Sequence, residues 1–189
     1  MNTLCLLVFV SIFGPACSVR NLQEAAPVNS AVASSRIYSA PDNAFTIKLP
    51  SDWNVKRDQT DLGYLTVIQH RAANITILTA NNSLPEFDTA EQKSHLLVES
   101  GKPFFEGWIG SLEKQARIEG TGKIYPTRFV GLEALRTDVI YYRGDADDPR
   151  LGYSVFLFGD KTSFFISVTG SRARFKNLES IISTIRIEP

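Results

Sequence analysis

Three regimes of apolar and polar positions succeed one another along the chain. Residues 4–13, LCLLVFVSIF, form an uncharged apolar run, and residues 18–35, SVRNLQEAAPVNSAVASS, are small and polar with no period. From residue 36 alternation begins. In AFTIKLP (44–50), Phe45, Ile47 and Leu49 point one way and Thr46 and Lys48 the other, which predicts a half-buried strand closed by Pro50. YLTVIQH (64–70) and NITILTA (74–80) read as two more strands, joined as a hairpin through Arg71-Ala72-Ala73. Asp88 with Glu91 three residues later resembles a capping box, and Leu96, Leu97 and Val98 give the following helix an apolar side. Gly101 and Pro103 are expected to interrupt it. A second helical segment, PFFEGWIGSLEKQAR, then opens at Pro103, with Phe104, Phe105, Trp108, Ile109 and Leu112 on one face. Gly107 and Gly110 each cost that segment about 1 kcal/mol of helix propensity.

The last third is the most strand-like. ARIEGTGKIYPTRF (116–129) alternates weakly and is broken by glycines, so Gly120-Thr121-Gly122 reads as a bend or bulge. LEALRTDVIYYR (132–143) sets Leu135, Val139 and Tyr141 on one face. LGYSVFLFGD (151–160) and TSFFISVTG (162–170) are apolar on both faces, so both faces must be covered. Their short connection makes them antiparallel neighbours. RARFKNLESIISTI closes the chain as an amphipathic helix, with Phe175, Leu178, Ile181, Ile182 and Ile185 on its apolar side. Two helical regions and about seven strands imply an α+β fold: a three-layer α/β/α sandwich on a mostly antiparallel sheet, occupying residues 36–189.

Composition bounds this picture. The 189 residues suit one domain, and 43% hydrophobic content supports a real core. A folded part of roughly 150 residues buries about 68–70% of its unfolded surface, so it needs no staples. Lys plus Arg equals Asp plus Glu at 20 each, which gives no electrostatic reason to bind nucleic acid. The two cysteines, Cys5 and Cys17, both precede the alternating region. That region therefore has no disulfide, no thiol nucleophile and no cysteine metal ligand.

The apolar leader has the length of a signal-peptide core and falls short of the roughly 18 residues that cross a bilayer. Gly14, Pro15, Ala16 and Cys17 follow it, and the whole resembles a bacterial lipoprotein signal. The resemblance implies that residues 1–16 are removed, that Cys17 receives a diacylglyceryl thioether, and that residues 17–35 become a lipid-anchored linker. Ser18 then implies the outer membrane in a Gram-negative host. Two other outcomes stay open: a secreted or periplasmic soluble protein cut after Ala16, and an uncleaved anchor. Gly14 stands where such signals usually carry Leu, and no Lys or Arg precedes the run. Extended, residues 18–35 could reach ~60 Å and hold a domain clear of headgroups.

Tyr38 followed by DNAFTIKLPSDWNV (42–55), with Pro50 and Trp53 as Pro-x-x-Trp, resembles the opening of the PsbP-like superfamily. The Phe175-x-x-Leu178-x-x-Ile181 helix resembles its closing element. The superfamily includes photosystem-associated PsbP proteins, DcrB-type bacterial envelope lipoproteins and a Ran-binding transport protein. The resemblance implies an α/β/α sandwich without a shared catalytic site, and the leader is closest to the DcrB-type arrangement.

Residues that could carry chemistry are few. His70 ends a strand and His95 lies in the first helix, with no spacing that suits a metal. No Gly-x-Ser-x-Gly elbow or phosphate loop is present. In RGDADDPR (143–150), Asp145, Asp147 and Asp148 are weak calcium candidates, but a correctly spaced downstream Glu is missing and a solvated hairpin loop accounts for them. Trp53, Trp108, Tyr141 and Tyr142 could line a groove or serve the core. Arg172, Arg174 and Lys176 crowd a helix start, where positive charge opposes the helix dipole; they invite an anion or an acidic partner, or form a solvated face. Asn74-Ile75-Thr76 and Asn81-Asn82-Ser83 fit the glycosylation pattern, which a bacterial host would leave bare. No cofactor and no enzyme activity are expected. Two functions are: a non-catalytic binding or assembly-accessory module with an envelope protein partner, held at the membrane by its lipid, or a periplasmic protein binding a small ligand or metal.

Overall fold

The computed structural model describes residues 34–81, 89–143, 148–159 and 162–187. Within them an eight-stranded antiparallel sheet separates two apolar layers. Its strands are β3 (Asn54–Thr60), β4 (Gly63–His70), β5 (Ala73–Asn81), β6 (Arg117–Thr121), β7 (Tyr125–Phe129), β8 (Leu132–Tyr142), β9 (Arg150–Phe158) and β10 (Thr162–Ser171). They run in the order β3-β4-β5-β10-β9-β8-β6, with β7 also on β8. A second sheet, in the order β1-β2-β11, joins β1 (Ser35–Ser39), β2 (Phe45–Pro50) and β11 (Arg186–Ile187). Helix α1 (Ala90–Glu113) covers one face of the large sheet, and α2 (Arg172–Ile182) with the small sheet covers the other. The expected α+β sandwich with helices on both faces is what forms, and the small sheet shares a layer with α2.

The alternation in β9 and β10 divides these layers. Tyr153, Val155, Leu157, Phe164, Ile166 and Val168 face α2 and the small sheet, together with Phe45, Ile47, Leu49 and Leu178. Phe156, Phe158 and Phe165 face α1, meeting Leu97, Phe105 and Trp108. These strands are greasy on both sides because both sides are covered.

Three expectations need correction. The helix does not break at Gly101 and Pro103. It runs unbroken through both, with Leu97, Gly101, Phe105 and Trp108 buried along one stripe. Proline removes one helical hydrogen bond, but Gly101 lets the helix seat on the sheet: a Cβ there would lie 2.9 Å from Phe156 Cδ1. Burial of the stripe outweighs propensity. The helix is capped by Thr89, whose side chain accepts from the Gln92 N–H at 3.2 Å; Asp88 lies outside the described residues. Residues 116–129 form two strands where the sequence suggests one. β6 and β7 follow each other along one side of β8, with a register shift between Ile118 and Gly120 where the glycine bulge was expected. Finally, β1, β3 and β11 add to the strands read from the sequence. β3 is NVKRDQT, too polar to alternate visibly.

Candidate functional site

β1 and β3 are the outermost strands of their sheets among the described residues, because each pairs on one side only. A cleft of about 280 Å³ opens between them, lined by Arg36, Ile37, Tyr38, Val55 and Arg57. The turn after β2 fixes one wall. Arg36 Nη2 donates to the Trp53 carbonyl at 2.8 Å, and Ser51 N–H donates to the Ser34 carbonyl at 2.9 Å. Trp53 itself is a core residue, 6% exposed, with its ring 5.6 Å from that of His70. His70 Nε2 lies 3.0 Å from Asp52 Oδ2. The Tyr38 ring packs 6.0 Å from Phe45, and its hydroxyl is buried without a hydrogen-bond partner. Ile37 is 73% exposed, an apolar side chain turned out on a strand edge. The cleft thus offers two guanidinium groups and an apolar floor at Val55. Among its lining residues no nucleophile stands beside a base.

A second polar array lies on the α2 side of β8. Arg136 Nε and Nη2 donate to Asp138 Oδ1 at 3.0 and 2.7 Å, and the Tyr125 hydroxyl donates to Asp138 Oδ2 at 2.7 Å. The Arg136 guanidinium stacks 3.9 Å above the Tyr153 ring, which meets Phe175 of α2 edge-on at 5.8 Å. Burial pushes the Tyr153 phenol up to about 12, against the pull of Arg136, with Glu179 and Asp138 adding to the rise. Burial also raises Tyr125, helped by its bond to Asp138. Burial pulls Arg136 down, but its bonds to Asp138 outweigh that and leave it raised. Each charge meets its partner here, so the array reads as a clasp joining β7, β8, β9 and α2.

Linkage follows from Tyr153. The unfolded chain releases this proton near 10.0 and the folded chain holds it to about 12. Between these values the folded state binds more protons, so the Tyr153 contribution is complete below pH 10 and is lost as pH rises toward 12. Denaturation at a series of alkaline pH values should show that loss, and Tyr153→Phe should reduce it, the smaller share from Tyr125 remaining.

The residues singled out in the sequence do not converge. Cys17, Asp145 and Asp147 lie outside the described residues, while Asp148 is exposed. Arg172 is exposed and Arg174 half-buried on the first turn of α2, which has no acidic residue and no side-chain cap. Trp108 of α1 and Tyr141 of β8 are both buried in the layer between that helix and the sheet. Tyr142 donates to Glu119 Oε2 at 3.1 Å and lies 4.7 Å beneath the Arg117 guanidinium. His95 Nδ1 lies 3.5 Å from Glu99 Oε2 within α1. Among the described residues no three His, Cys, Asp or Glu side chains gather as a metal site, and no helix is long and apolar enough to cross a membrane. Arg36, Ile37, Val55 and Arg57 were missed. The signal available was the short SRIYS alternation, which sets Arg36 and Tyr38 against Ile37.

No protein-family model matches the chain, and no curated protein matches it in sequence. Solved structures do. Cyanobacterial PsbP (CyanoP) from Synechocystis sp. PCC 6803 superposes at TM-score 0.54 over 87% of this chain and 98% of that one, with 12% identity. The fold is PsbP-like. Two more distant structures also align. Mycobacterium tuberculosis LpqN, described as involved in cell envelope biogenesis, has TM-score 0.42 and 12% identity over 82% of this chain and 91% of that one. The Saccharomyces cerevisiae Ran-binding protein Mog1p has TM-score 0.44 and 11% identity over 82% and 96%. At such identities a PsbP-like likeness speaks to shape alone.

Proposed function

We propose that the chain is a cell-envelope lipoprotein of the DcrB-type arrangement, whose PsbP-like body is a non-catalytic module that binds an envelope protein or aids its assembly. Cys17 carries the lipid, residues 18–35 are the tether, and in a Gram-negative host the body faces the periplasm from the outer membrane. The observation that supports this most is an uncharged apolar run halting at Cys17, followed by a polar stretch that leads directly into β1 at Ser35. A groove with binding groups but no nucleophile–base pair fits a module that presents a surface. Fractionation tests the anchor. The wild-type protein should sediment with membranes and be released by detergent, and Cys17→Ser should shift it wholly to the soluble fraction. Wild-type protein found soluble from the outset would overturn the proposal.

A further inference from the structure

Beyond the general role of a binding module, and resting on it, we infer that the open edge of β1 and the cleft beside it take an extended acidic segment of a partner protein, which adds as a further strand to the small sheet. Two backbone bonds set the phase of β1. Ser51 N–H reaches the Ser34 carbonyl at 2.9 Å, and Ala40 N–H reaches the Phe45 carbonyl at 3.0 Å. In an antiparallel ladder, hydrogen-bonded pairs alternate with open ones. Arg36 opposite Leu49 and Tyr38 opposite Ile47 therefore bond inward to β2. Ser35, Ile37 and Ser39 turn their N–H and C=O groups to the edge on which no strand pairs among the described residues, an array that templates another strand.

The two edges beside the cleft differ in their protection. β3 carries Lys56, Arg57 and Asp58, charges of the kind that keep an edge from pairing. β1 carries one charge, Arg36, and presents Ile37 at 73% exposure. Charge then selects the occupant. Arg36 and Arg57 line the cleft from opposite walls, and among the described residues no acidic side chain lines it with them. Carboxylates on alternate residues of an added strand would meet this set, and an apolar residue would cover Ile37.

The test uses the mature full chain and fluorescein-labelled peptides of roughly six residues, the usual strand length. One alternates Asp and Val, one alternates Lys and Val, and one is the acidic peptide with alternate amides N-methylated. Fluorescence anisotropy should show the acidic peptide binding at least roughly tenfold more tightly than the lysine peptide, with N-methylation abolishing binding. Ile37→Pro removes an outward N–H and leaves the inward ladder intact, so it should weaken binding by roughly tenfold. Arg57→Glu should do the same by charge if the proline variant misfolds. Equal binding of both charge types, no effect of either variant, no binding of any peptide, or a β1-dependent dimer in sedimentation would each overturn the inference. A photo-crosslinker placed at Ile37 and, separately, at exposed Ile140 on β8 separates the two readings in the native envelope. Adducts at Ile140 alone would keep the binding module and remove the β1 site.

Discussion

Replacing Phe156 with alanine is expected to cost about 3–5 kcal/mol, the usual range for a large aromatic deleted from a packed core. Phe156 is 1% exposed on β9. Its ring stacks on Phe104 at 5.2 Å and meets Phe158 edge-on at 5.3 Å. Gly101 of α1 comes so close that its missing Cβ would sit 2.9 Å from the ring. Truncation would leave α1 resting over a void that a 24-residue helix cannot collapse to fill. For a body of this size each kcal/mol moves Tm by about 2–4 °C, so a fall of ~10 °C is expected in thermal unfolding. An unchanged Tm would mean that α1 is not seated on this face.

Gly63→Ala is expected to cost at least about 3 kcal/mol by another route, backbone strain and collision. Gly63 has φ +146°. An added Cβ would fall 2.0 Å from the Thr79 carbonyl oxygen and 3.1 Å from Ala80 Cα. These are backbone atoms of β5, which cannot rotate aside as a side chain could. Gly63 pairs with Thr60 on one side and Ala80 on the other, so displacement would loosen β3 together with β4. Because β3 forms one wall of the cleft, amide exchange should rise first in Asn54–Thr60. Gly110→Ala is the control: it lies in α1 with nothing within 4 Å of the added carbon, and should gain roughly 1 kcal/mol of helix propensity. Equal stability of Gly63→Ala and wild type would refute the register of this hairpin.

The layers of the fold were legible because they rest on local periodicity. Tyr153, Val155 and Leu157 against Phe156 and Phe158 announce a strand covered on both sides, and Phe175, Leu178 and Ile182 announce a helix with one apolar stripe. Continuity of α1 was not legible, because Pro103 and Gly101 are helix breakers by propensity and only the fit of Gly101 to Phe156 reverses that. The cleft was not legible either. Arg36 and Arg57 lie on strands of different sheets, and they face one cleft because β1 ends one sheet and β3 ends the other. Strand order is a long-range fact that no local pattern encodes. β3 hides further, since Val55 is its one apolar residue. Trp53 drew notice as a bulky aromatic, yet it serves the core, and its contribution to the cleft is the backbone carbonyl that holds Arg36.

Intact-mass analysis of the protein drawn from its native membranes bears most directly on the anchored module. The expected species begins at Cys17, lacks residues 1–16, and carries a diacylglyceryl group on the sulfur. A chain that retains the apolar leader, or one that starts with a bare thiol at Cys17, would contradict it.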